Sequence, residues 1–240
     1  MIPMASTRTG LPMPVLTIER QGGVESAARE HPRVVRFTHW LNAISLTVMT
    51  MSGLQIFAAF PSFGPKVPQT DLLFVPEWLR LGGWLGGALQ WHFTFAWIFG
   101  VGGLVYAAFL LLSGHWRHVI LRPNDVAGIW PMVRHYALMA RKPEPREAYN
   151  PLQKAAYTAT IGCGALALMT GLMLARPVQL SPLVDLAGGF ALVRVYHFAA
   201  MVGLLAFIPG HLVMVALHGW NNLMSMFTGW KRRPDYLRRR

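Results

Sequence analysis

Two histidines, His197 and His211, lie 14 residues apart in one uncharged apolar segment near the C-terminus. That spacing is about four helical turns, so both imidazoles point the same way, about 21 Å apart along the axis. In a hydrocarbon layer of about 30 Å, one would lie near each face. A helix of this kind can carry two metal centres stacked across a membrane, provided other segments supply a second ligand at each depth. His39 stands in the third position of the first apolar segment and His92 at the start of the second.

The elements that must position these residues follow from composition. The chain has 240 residues, is 53% hydrophobic and only 13% charged, which predicts an all-α, polytopic membrane protein rather than a soluble domain. Four stretches lack Asp, Glu, Lys and Arg and are long enough to span: residues 37–60, 91–114, 155–175 and 195–220. A fifth, 177–193, is short, holds Asp185 and two prolines, and reads as a re-entrant or surface loop. Residues 1–30 are polar and read as a flexible cytoplasmic tail without a signal peptide. Residues 31–230 form the four-helix transmembrane domain, and residues 231–240 a basic cytoplasmic tail.

The net charge of +12 is a topology signal. With four spans, both tails and the middle connection share one side, and together they hold eighteen Lys and Arg against four in the other two connections. The positive-inside rule puts both termini in the cytoplasm. The basic excess then faces anionic membrane lipid, and nucleic acid is not an expected partner. In the outer connection, 61–90, Trp78 and Trp84 read as interfacial indoles. In the middle connection, 115–154, residues 125–140 read as an amphipathic helix on the membrane, followed by the proline-rich loop RKPEPREAYNP. No internal repeat is visible.

This topology sorts the histidines by depth. His92 pairs with His197 on the outer side, and His39 with His211 on the inner side. Two His–His pairs at two depths are what two bis-imidazole haems require. An imidazole on each side of the iron leaves no open position, which favours electron transfer over binding of oxygen or substrate. Between the two, the face His197, Met201, Leu204, Ile208, His211 is an apolar stripe suited to porphyrin. Pro209 and Gly210 predict a kink before His211. Glycines of the second and third spans (Gly100, Gly102, Gly103, Gly162, Gly164, Gly171) either make room for a flat cofactor or serve plain helix packing. His218 shares the face of His211, but its distance from His197 is the whole core thickness, so His211 is the better ligand. His115 and His118, beside Arg117, are surface residues or propionate contacts. Four histidines split between two depths cannot close one zinc tetrahedron. Cys163 is the only cysteine, which leaves no disulfide, no thiolate cluster and no covalent haem attachment.

The pieces HPRVVRFTHWLNA, WHFTFAWIF with SGHWR, YNPLQKAAY, RVYHF with PGHLVMV, and NNLMSMFTGW cover about residues 31–230. Together they resemble the di-haem cytochrome b subunits of bacterial respiratory enzymes. That group holds the membrane subunits of nickel–iron hydrogenase, formate dehydrogenase and thiosulfate reductase, with the bacterial cytochrome b561 type. The thiosulfate-reductase-like branch is nearest, through YNPLQK and NNLMSMFTGW. The thirty-residue N-terminal tail departs from the pattern.

The resemblance implies two haem b groups ligated by His39, His92, His197 and His211, in agreement with depth. It also implies a quinone site, for ubiquinone or menaquinone, beside the cytoplasmic haem. Asn150, Gln153 and Lys154 are candidates for it; equally, Asn150 and Pro151 cap span three and Lys154 is a topology charge. Arg36 and Arg194, one near each haem, are candidates for propionates or ordinary interface anchors.

The expected function is electron transfer between an extracytoplasmic redox subunit, of molybdopterin or hydrogenase type, and the quinone pool of the bacterial inner membrane. No ligand set for substrate chemistry is present, so catalysis must lie in the partner. The alternatives are a stand-alone quinol oxidoreductase of the same fold and a haem-free membrane anchor.

Overall fold

A computed structural model describes residues 15–20, 23–29, 31–59, 61, 63, 74–138 and 149–233. The chain divides into two compact units: residues 38–212, and residues 1–37 with 213–240.

Four long helices dominate: α1 (Arg33–Ala59), α2 (Leu85–Leu112), α5 (Pro151–Ala175) and α7 (Phe190–His218). All four are long and apolar enough to cross a membrane. They match the four expected spans, with earlier starts at every one. Between them lie α3 (Trp116–Val119), α4 (Ile129–Leu138) and α6 (Ser181–Leu186), and after them α8 (Trp220–Thr228).

Within residues 38–212, the helices alternate in direction. Phe57 near the end of α1 packs on Phe198 near the start of α7, with ring centres 5.3 Å apart. Gly53 lies against His92, Gly102 against Asn42, Gly164 against Phe99, and Gly203 against Cys163. These contacts link α1 to α2, α2 to α5, and α5 to α7. One side of the bundle holds the starts of α1 and α5 and the end of α2; we call it the terminal side. The other, the loop side, holds the end of α1 and the starts of α2 and α7.

The side-chain distribution is inverted relative to a water-soluble core. Thr38, Ser45, Ser52 and Thr170 are buried, whereas Trp97, Leu104 and Leu112 point outward. Small polar residues let helix backbones approach closely, and large apolar ones meet lipid.

On the loop side, the backbone turns sharply before α2. Gly82 has φ +110°, and a Cβ there would lie 2.4 Å from the Ala88 nitrogen, so the turn needs glycine. Residues 177–193 are short and only partly helical. They hold α6 and the start of α7, with Val178 and Leu186 exposed and Val184 and Val193 buried.

On the terminal side, the expected amphipathic helix is α4, preceded by a 3-10 turn at Pro123–Gly128. Met132 is buried while Trp130 is exposed. The proline-rich loop that follows falls mostly outside the described residues. α7 continues through Pro209 as one helix.

The second unit holds strands within the two segments read as tails. Strands β1 (Val15–Arg20) and β2 (Gly23–Arg29) form an antiparallel hairpin, and β3 (Trp230–Arg233) pairs with β2, Arg29 opposite Trp230. A two-stranded hairpin is marginal in water, and the third strand comes from the other end of the chain. Within this unit the α8 C-terminus ends at Gly229, φ +88°. The Arg36 guanidinium donates to the carbonyls of Met226, at 3.3 Å, and Phe227. A cation on these last carbonyls offsets the negative end of the helix.

Candidate functional site

The bundle brings the four candidate ligands together as two pairs. His92 on α2 faces His197 on α7, with ring centres 6.1 Å apart and planes at 67°. His39 on α1 faces His211 on α7, with ring centres also 6.1 Å apart and planes at 51°. These are the pairings that depth predicted.

The His92–His197 rings are held from behind. His92 Nδ1 lies 3.0 Å from the Met49 carbonyl and 3.2 Å from Ser52 Oγ, both on α1. His197 Nδ1 lies 3.0 Å from the Ala167 carbonyl and 3.1 Å from Thr170 Oγ1, both on α5. A carbonyl can only accept, so each Nδ1 carries the proton and each Nε2 keeps its lone pair. Ser52 and Thr170 were not singled out by sequence reasoning. His211 stacks on Phe207 at 5.3 Å, and His39 packs edge-on against Trp40 at 5.0 Å.

The remaining sequence candidates are placed differently. Asn150 Oδ1 accepts from the Gln153 backbone N–H at 2.9 Å, and Gln153 Oε1 accepts from the Asn150 N–H at 3.0 Å. This reciprocal box, with Pro151 next, starts α5. The Lys154 ammonium, only 1% exposed, donates to both Asp125 oxygens at 3.1 Å. Burial alone would raise the Asp125 carboxyl. The Arg122 backbone N–H and the Lys154 ammonium overcome this and hold it below its ordinary value. Asn150 thus caps α5, and Lys154 is half of a buried ion pair. Arg36 is engaged by α8 as described, and Arg194 lies on α7, three residues before His197.

An aromatic cluster sits near the Asn150 box on the terminal side. His115 packs against Phe109, His118 and Tyr149 with ring centres 5.9, 6.0 and 6.4 Å apart. Tyr149 meets Tyr157 edge-on at 5.5 Å. Burial, then the neighbouring His118, push the His115 imidazole below its ordinary value. Folding therefore disfavours its proton, and stability falls as pH drops below about 6.5. His115→Phe keeps the ring contacts and removes the titration. Thermal unfolding in detergent between pH 7 and pH 5 is expected to flatten in that variant relative to the parent.

The comparisons with known proteins agree with this architecture. Residues 30–229 match the family model of prokaryotic cytochrome b561. The chain belongs to that family. It is a membrane b-type cytochrome subunit, and haem b is the prosthetic group the family implies. A putative protein-methionine-sulfoxide reductase subunit YedZ1 of Azospira oryzae is 37% identical over 187 residues, covering 78% of this chain and 90% of the relative. A probable Ni/Fe-hydrogenase 1 B-type cytochrome subunit of Escherichia coli K12 is 24% identical over 152 residues, covering 58% of this chain and 57% of the relative.

The residues of this cytochrome b561 family member fit haem. A metal–imidazole bond is about 2 Å, and adding the half-width of each ring separates two axial ring centres by about 6 Å. Ordinary aromatic contact spans a range that includes this value, so distance alone does not discriminate. The equal separation in both pairs, and the bare Nε2 atoms of the His92–His197 pair, are what ligation requires. Among the described residues no three of His, Cys, Asp and Glu gather into a metal site.

Proposed function

We propose that this cytochrome b561 family member carries electrons between quinone and an extracytoplasmic redox subunit through two bis-histidine haems. The observation that carries the reading is the pair of histidine pairs, alike in separation and joined by one helix. His197 and His211 supply one ligand each, His92 completes the loop-side set and His39 the terminal-side set. Haem bound at each pair would supply reversible one-electron transfer without an open coordination position.

The charge distribution supports both termini in the cytoplasm of a bacterial inner membrane. The terminal side is then cytoplasmic and the loop side faces out. The partner docks outside, beside the His92–His197 pair. The first relative's name, a reductase subunit for protein methionine sulfoxide, supports a reductase as partner and electron flow from quinol outward. Reducing a sulfoxide consumes two electrons and two protons and releases water, so two one-electron transfers complete a turnover. A molybdopterin centre in the partner suits that two-electron chemistry.

Quinone is assigned to the cytoplasmic boundary between the end of α2 and the start of α5. Asn150, Gln153 and Lys154 shape the start of α5 there. Phe109, His115, Tyr149 and Tyr157 offer flat faces and polar tips to a quinone ring. Arg194 lies one helical turn from His197 and is assigned to a propionate. Arg36, engaged by the α8 carbonyls, is the weaker propionate candidate.

Purified protein is expected to contain two haems per chain by pyridine haemochrome assay and to be reduced by a quinol analogue. A spectrum without a Soret band would sink the reading. One haem per chain would sink the two-centre form of it.

A further inference from the structure

The two rings of the His92–His197 pair are gripped by the same device, used twice. On α1 it is Met51–Ser52–Gly53, and on α5 it is Met169–Thr170–Gly171. In each, a carbonyl at one position, a hydroxyl three residues later and a glycine one further meet a single imidazole. The carbonyls are those of Met49 and Ala167, both 3.0 Å from an Nδ1.

The hydroxyls have a defined direction. Ser52 Oγ donates to the Val48 carbonyl at 2.7 Å, and Thr170 Oγ1 donates to the Leu166 carbonyl at 2.6 Å. Each hydroxyl proton is thereby committed to its own helix. The oxygen lone pairs then face the ring nitrogens, 3.2 Å from His92 and 3.1 Å from His197. Each Nδ1–H thus meets two acceptors, a carbonyl and a hydroxyl oxygen, and the hydroxyl's own longer 3.2 Å contact to that carbonyl stays within its helix. Ser52 is fully buried and Thr170 nearly so, which keeps water from substituting for either.

The glycines set the ring's position. A Cβ at Gly53 would lie 3.2 Å from His92 Cε1, and one at Gly171 would lie 3.2 Å from His197 Cε1. Both are tighter than most Cβ contacts, so with a side chain there the imidazole would have to shift by a few tenths of an ångström.

We propose that these two Met–Ser/Thr–Gly turns position the loop-side haem, with Ser52 and Thr170 strengthening its axial ligands and Gly53 and Gly171 fixing their rotation. The inference rests on the reading that His92 and His197 ligate haem. Two acceptors on Nδ1–H raise the basicity of Nε2, as outer partners of a ligating histidine do. A stronger donor pair favours the ferric state and lowers the midpoint potential of that haem. For outward electron flow, the loop-side potential sets the driving force delivered to the partner.

The test uses the full chain purified with haem, in the parent, Ser52→Ala, Thr170→Ala, the double variant and Gly53→Ala. His211→Ala, which retains only the loop-side haem, identifies its signals. With haem content unchanged, the loop-side midpoint potential is expected to rise in each alanine variant and further in the double one. The other haem's potential is expected to stay fixed. Gly53→Ala, with both hydroxyls intact, is expected to shift the loop-side low-spin ferric EPR signal, which reports the orientation of the axial rings. Ser52→Thr and Thr170→Ser are expected to keep the parent potential. Unchanged potentials in a fully loaded double variant, or equal shifts of both haems, would overturn the proposal. Parent protein without haem would instead overturn the ligation reading beneath it.

Discussion

His197→Ala and His211→Ala are expected to have mirror-image effects, each removing about half of the haem absorbance and leaving the other half spectrally intact. The reason is the division of labour on α7. His197 meets His92, and His211 meets His39, among the four candidate ligands. About 21 Å of helix separates the two positions, so neither truncation disturbs the other site directly. His92→Ala should reproduce the His197→Ala spectrum, and His39→Ala the His211→Ala spectrum. Loss of one axial imidazole opens a coordination position, so any residual haem should become high-spin and bind carbon monoxide. Folded yield is the control, because both sites lie inside the bundle. If His39→Ala removed the same haem as His197→Ala, the pairing by depth would be wrong.

The pairs were legible in the sequence because helical periodicity and charge are local or additive signals. Fourteen residues on one helix fix the relative facing of His197 and His211 whatever surrounds them. Charge asymmetry then orders the spans without any knowledge of contacts. The grips behind the rings were not legible. MSG on α1 and MTG on α5 are short, common tripeptides, 118 residues apart. They acquire meaning only once the helix packing brings Ser52 to His92 and Thr170 to His197. The sheet was missed for a related reason. Residues 1–30 read as a polar tail and 231–240 as a basic one; the β1–β2 hairpin is local but marginal alone, and the third strand that completes it lies some 200 residues further along the chain. Lys154 was visible as a charge near a span start, but its carboxylate sits 29 residues earlier, in a stretch read for its amphipathic pattern.

That buried ion pair carries the second large effect: Asp125→Asn is expected to destabilise the terminal side of the bundle by on the order of 3 kcal/mol, seen as a lower thermal midpoint in detergent. Lys154 is only 1% exposed, so its ammonium has little access to water, and both Asp125 oxygens lie 3.1 Å from it. Removing the carboxylate charge leaves the desolvation cost of the cation while removing most of what offsets it. The loss is large beside the roughly 5–15 kcal/mol that separates folded from unfolded states of a typical domain. Replacing both partners, as Asp125→Leu with Lys154→Met, should recover most of it, since an apolar pair of similar size is commonly as stable as a buried salt bridge. The pH dependence provides an independent check. The Asp125 carboxyl is held below its ordinary value, so its contribution is fully present above about pH 4 and is lost only as pH falls further. His115 acts in a separate window, below about pH 6.5, so the two groups can be resolved in one titration. A double variant no more stable than Asp125→Asn would show that the charge pair is not what joins the Pro123–Gly128 turn to α5.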